Sequence, residues 1–145
     1  MLVYLDSCAL QRPFDDQAQL RVRTEADAVL NVLSLCEVGT LRLVASSVHA
    51  IENARCPFPD RRAHAEDALA LAEIYMPMEE GVVRRARSYE ADGIKALDAL
   101  HLAAAVEARA DIFCTTDDAL LKRGHVANTE STAVVSPLEL ILRLR

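Results

Sequence analysis

The sequence predicts an α/β fold in which a parallel sheet of four to five strands is covered by helices on both faces. Three observations carry that expectation. Short apolar runs alternate with longer stretches of helical periodicity. The runs are apolar at consecutive positions, as in strands buried on both faces. A length of 145 residues with 52% hydrophobic content suffices for one domain with a real core, so residues 1–145 are read as a single unit.

Residues 2–6 (LVYLD) read as a buried strand with Asp6 at its carboxyl end. Residues 7–17, polar and broken by Pro13, read as loop. Along residues 20–38, Ala26, Val29, Leu30, Leu33 and Cys36 recur at helical spacing, and Gly39 stands where a C-terminal cap belongs. Residues 41–45 (LRLVA) form a second strand, after which Ser46 or Ser47 caps a helix through Val48, Ile51 and Glu52. Residues 55–62 (RCPFPDRR), with two prolines, read as a loop or helix break, and residues 63–73 as a helix. Residues 74–78 (IYMPM) are a weaker third strand, followed by helices over 79–91 and 96–110. Residues 111–115 (DIFCT) are a fourth strand, with Asp117 just past its end. A short helical turn from Leu120, a strand at 133–135 and a helix at 137–144 complete the reading.

The composition excludes several classes. No apolar run reaches the roughly 20 residues of a membrane span, and the first residues, MLVYLD, lack the basic flank of a signal peptide. The four cysteines, Cys8, Cys36, Cys56 and Cys114, form no CxxC pair, which argues against common zinc-finger patterns. The thiols are expected to act as small apolar residues in a reducing cytoplasm. The net charge of −6 runs against a nucleic-acid binder. That objection weakens if acids cluster around cations, since two divalent ions would bring −6 to −2.

In a parallel sheet of this kind, ligands bind beyond the carboxyl ends of the strands. Acids recur at that edge: Asp6 after the first strand, Glu52 on the helix after the second, Asp98 opening the helix before the fourth, and Asp117 after the fourth. One such acid is weak evidence, because acids cap helices routinely. Four converging carboxylates repel and raise each other's pKa, a cost that hard divalent cations remove.

These residues resemble the PIN-domain family, in particular VapC-type toxin ribonucleases. The matching segments are VYLDS at 3–7, SSVHAIE at 46–52, KALDALHLAAA at 95–105 and CTTDDALL at 114–121, in the family's order. The closing strand and Ser-Pro-Leu-Glu helix, residues 134–140, fit as well. The resemblance implies a three-layer α/β/α domain, a Mg²⁺ or Mn²⁺ site and cleavage of RNA. It assigns Asp6, Glu52, Asp98 and Asp117 as the acids that act in catalysis and hold metal, Glu52 through water or a second ion. Ser7 and Thr115 match supporting hydroxyl positions. Asp117 and Asp118 stand side by side. Neighbours on an extended segment point to opposite sides, and the T-x-D spacing from Thr115 selects Asp117.

His101 shares a helix face with Asp98 and is expected to bond to backbone or a neighbouring acid rather than a metal. His49, His64 and His125 have no evident partner. Arg12, Arg55 and Lys95, with Arg61 and Arg62, are candidates for RNA phosphate contact. An antitoxin protein and a second copy of the chain are the expected partners, on apolar stripes around residues 29–38 or 48–54. Two alternatives stand beside the toxin ribonuclease: an RNA-processing nuclease of the same fold without antitoxin, and a catalytically idle binding module.

Overall fold

The computed structural model describes residues 1–144. Five strands, β1 (Leu2–Leu5), β2 (Arg42–Ser46), β3 (Ile74–Met76), β4 (Ile112–Cys114) and β5 (Ala133–Val135), form one sheet in the order β3-β2-β1-β4-β5. Every adjacent pair is parallel, with Val3 opposite both Leu43 and Ile112, and Leu5 opposite Cys114. The helices are α1 (Ser7–Gln11), α2 (Leu20–Glu37), α3 (Ser47–Ala54), α4 (Pro59–Leu69), α5 (Glu80–Ala91), α6 (Ala96–Glu107), α7 (Asp118–Val126) and α8 (Pro137–Arg143).

Side chains alternate across a strand, and here the alternation separates two cores. Leu2, Tyr4, Val44, Phe113 and Val134 pack with α5, α6 and α7 and with Val48 of α3. Val3, Leu5, Leu43, Ile112, Cys114 and Val135 pack with α1, α2, α4 and α8. The result is three layers, helix, sheet and helix. Strand order reverses at β1, so the crevice beyond the carboxyl ends of β1 and β4 is the expected ligand position.

Several boundaries differ from expectation for local reasons. Residues 7–17 are not loop throughout. An Asp6 carboxylate oxygen accepts the Ala9 amide at 2.9 Å and starts α1. Pro13 then sits early in a 3-10 turn, Arg12–Phe14, where its missing N–H costs nothing. The helix expected at 63–73 begins earlier, with Pro59 in its first turn, and ends at Leu69. β3 stops before Pro77. α6 ends at Glu107, with Arg109 turned to a φ of 58°. The short turn expected from Leu120 is a helix of 9 residues, because Asp117 caps it. Gly39 follows α2 at a φ of 81°, the left-handed geometry of a C-terminal cap. The four cysteines are free, and among the described residues no helix is long and apolar enough to cross a membrane.

Candidate active site

Asp6 leaves β1 at the crevice and is 2% exposed. Besides capping α1, it lies 3.1 and 3.2 Å from the Cys8 sulfur through its two oxygens. Burial lifts its pKa above the usual carboxylate range, against the opposing pull of Thr115, His101 and the Ala9 amide. Desolvation of its sulfur at the cleft wall, with Asp6 beside it, pushes the thiol of the otherwise exposed Cys8 up to about 12, so this cysteine stays protonated and serves as a donor. Thr115, the residue after β4, is fully buried, and its Oγ1 accepts the Asp117 amide at 3.1 Å.

Asp117 is the N-cap of α7, with Oδ1 accepting from the amides of Ala119 and Leu120 at 2.9 and 3.1 Å. Its neighbour Asp118 faces Arg21 of α2, which donates from two guanidinium nitrogens at 2.7 and 2.9 Å. The adjacent acids thus go to different partners. Asp98, in the first turn of α6, makes no hydrogen bond or ion pair among the described residues. Its pKa rises to about 6, chiefly through burial and then through the charges of Asp6 and Asp117, with Glu52 adding to them and His101 opposing. A cavity of about 120 Å³ opens beside Asp98 and Asp117 and is also lined by Lys95 and Arg123.

Glu52 enters from α3. Its Oε1 accepts from His101 Nε2 at 2.7 Å. Burial raises its pKa, but hydrogen bonds from His101 and Ser7 outweigh that effect and hold it below the usual range. Ser7 Oγ is also 3.4 Å from His101 Nε2. The expectation that His101 bonds a neighbouring acid therefore holds, and that acid is one of the four candidates. The structure brings Asp6, Glu52, Asp98 and Asp117 to one sheet edge, where the charges of the other three raise the pKa of Asp98.

The four do not form a ready-made cage. Among the described residues, no group of three or more His, Cys, Asp or Glu side chains is arranged to hold a metal ion. Asp6 and Asp117 each turn one oxygen to a helix cap, and Glu52 turns one to His101. Mutual repulsion keeps uncompensated carboxylates apart. The donor set still fits a hard divalent cation, being all oxygen, with Asp98 in no ion pair among the described residues.

The basic candidates divide. Arg12 is engaged internally, with Glu25 at 2.7 Å and Asp15 at 3.1 Å. Arg61 bonds Asp15 at 3.1 Å and the Phe14 carbonyl at 2.8 Å. Arg55 at the end of α3 and Lys95 at the start of α6 are exposed. His49, without a partner in the sequence reading, has two: Nε2 meets the Leu5 carbonyl at 2.7 Å and Nδ1 the Ser46 amide at 3.1 Å. The available signal was the S-x-x-H spacing from Ser46, a capping box with histidine in the third position. His64 and His125 bond the carbonyls of Leu10 and Val134.

A family model described as PIN domain matches residues 3–126. Among solved structures, the chain is similar to the crystal structure of VapBC2 from Rickettsia felis bound to a DNA fragment from its promoter. The TM-score is 0.61 and the identity 13%, covering 94% of this chain and 98% of that one. It is also similar to the crystal structure of PAE2754 from Pyrobaculum aerophilum, with a TM-score of 0.53 and 18% identity over 99% of this chain and 89% of that one. A search of curated proteins returned no match.

Proposed function

Because the chain belongs to the PIN-domain family, we propose that it is a nuclease that hydrolyses RNA phosphodiester bonds with Mg²⁺ or Mn²⁺, the toxin of a toxin–antitoxin pair. One observation carries the reading: a half-buried carboxylate, Asp98, lacks a cationic partner at the sheet edge where three other acids converge. Asp6, Asp98 and Asp117 would hold the cation, and Glu52 would reach it through water or a second ion. Such an ion offsets the negative charge that builds on phosphate oxygens and lowers the pKa of the attacking water.

The chain's own residues supply the rest. Thr115 and Cys8 donate to Asp6 and fix its orientation. Glu52, ionised at neutral pH, orients the water that attacks phosphorus. Lys95 and Arg123, beside the cavity at Asp98, draw the substrate phosphate toward an acidic edge that would otherwise repel it. The likeness in fold to the toxin–antitoxin protein VapBC2 supports an antitoxin partner. Exposed Ile51, Phe58 and Tyr75 on the α3, α4 and β3 side offer it apolar contact, and an arginine of the partner could pair with Glu52 or Asp117.

The test is cleavage of single-stranded RNA by the purified protein with Mn²⁺, with chelator, and with Asp6→Asn. Asn preserves the helix cap but not the charge. Activity is expected to need metal and to fall by more than the roughly 100-fold that loss of an outer-sphere partner costs. A folded Asp6→Asn protein cutting at the wild-type rate would refute the assignment.

A further inference from the structure

Beneath the acidic edge lies a hydrogen-bonded chain that the proposed chemistry does not use. Tyr4, Ser46, His49 and His101 are each no more than 2% exposed, and they come from β1, β2, α3 and α6. Tyr4 OH is 2.6 Å from His101 Nδ1 and 2.7 Å from Ser46 Oγ. His49 stacks on the Tyr4 ring at 4.6 Å with 22° between planes.

With His101 neutral, donor and acceptor counting gives this chain one direction. Glu52 Oε1 lies 2.7 Å from His101 Nε2, a contact in which the imidazole N–H donates to the carboxylate. In the neutral imidazole His101 Nδ1 is then the acceptor, and Tyr4 OH donates to it. The Tyr4 oxygen is left to accept from Ser46 Oγ–H, and Ser46 Oγ accepts the His49 amide at 3.3 Å. His49 is fixed by the same logic. Its Nδ1 accepts the Ser46 amide, so its Nε2–H donates to the Leu5 carbonyl. Every member has its partners, and the end of the chain that leaves the core is the Glu52 carboxylate.

We infer that His101 is a positioning residue for Glu52, held in its Nε2-protonated tautomer by Tyr4 and Ser46 so that the carboxylate keeps one orientation at the cleft. The inference rests on the reading of Glu52 as an acid of the nuclease site. It adds that the site's second acid is aimed from the core, while Asp6 and Asp117 are aimed by helix amides. A histidine fixed by a partner on its far nitrogen is a common way to orient an acid or ligand, and loss of such an outer partner costs roughly 10–100-fold in metal affinity or activity.

The test uses the full chain and two readouts. Nitrogen-15 NMR of the metal-free protein is expected to show His101 as the Nε2–H tautomer. Mn²⁺ affinity, measured by titration, is then compared for His101→Gln and His101→Asn. Gln extends an amide donor toward Glu52 from about the Nε2 position, whereas Asn reaches only the Nδ1 side. Both variants replace the imidazole with an amide, and melting curves of the two report the difference in packing. Asn is expected to weaken Mn²⁺ binding by about 10–100-fold, and Gln to restore most of the affinity. An Nδ1–H tautomer, equal affinities for the two variants, or a wild-type chain that binds no Mn²⁺ would overturn the inference. Failure of the ribonuclease reading alone would look different: Mn²⁺ binds with this pattern, yet RNA is not cut.

Discussion

Two groups of acids sit at neighbouring places in this fold and are treated in opposite ways. At the corner of α2, Glu25 is 2% exposed and receives Arg12 at 2.7 Å and Arg21 at 3.2 Å. Asp15 takes Arg12 and Arg61, and Asp118 takes Arg21. In the cleft, Asp6, Asp98, Asp117 and Glu52 have no arginine or lysine bonded to them among the described residues, and Asp98 is pushed up to about 6 by its surroundings. A buried charge without a counter-charge is costly. The chain has arginines within a few residues and directs them to the corner. The difference separates acids paired to arginine from the unpaired acids that we propose hold a cation.

The corner breaks with the largest change in stability. Arg12→Ala leaves Glu25 buried with Arg21 alone and strips Asp15 of one partner. Loss of about 3 kcal/mol is expected in urea unfolding, the lower end for a broken buried pair. Arg21, whose side chain is 51% exposed, should cost about 1 kcal/mol when changed to Ala. Equal losses would mean that burial does not set the value of these pairs.

The cleft responds with the opposite sign. Asp98 has a folded pKa of about 6, above its value of about 3.9 in an unfolded chain. Between those values the folded state binds more protons than the unfolded state, so the contribution of Asp98 to stability falls as pH rises through that window. Metal-free Asp98→Asn is expected to lose this decline and to be more stable than the wild type at pH 7. Melting curves from pH 4 to 7 check it, and a wild-type decline that survives in the variant would place the repulsion elsewhere.

The smallest effect is expected at Asp118, which is exposed and paired with the half-exposed Arg21. Asp118→Asn should leave RNA cleavage and melting temperature unchanged, while Asp117→Asn, one residue away, should reduce cleavage. Comparable loss in both would erase the line between corner and cleft.

How much of this was legible in the sequence follows from the range of each interaction. The strand-end acids could be read because apolar runs mark where strands stop, and the parallel sheet aligns those ends. The partnering of acids could not. Arg21 and Asp118 lie 97 residues apart, and His101 and Glu52 lie 49 apart. Arg12 reads as a candidate for RNA phosphate contact for the same reason, since Glu25 becomes its partner only once α2 packs on the preceding turn. The helix at Ser7–Gln11 was hidden because its cap is Asp6, which the sequence reading had already assigned to the site. Tyr4 looked like any strand residue, and its hydroxyl gained meaning only from the positions of His101 and Ser46.

The most direct measurement of the central claim is thermal unfolding with and without Mn²⁺ for the wild type and Asp98→Asn. A ligand that binds only the folded state stabilises it by about 2.7 kcal/mol at a hundred times its dissociation constant. For a chain of this size that corresponds to a rise of roughly 5–10 °C. The wild type is expected to show such a rise, and Asp98→Asn a clearly smaller one from a higher metal-free starting point. An unchanged wild-type melting temperature, or the same rise in both proteins, would contradict the claim that the open cleft acids are the cation's ligands.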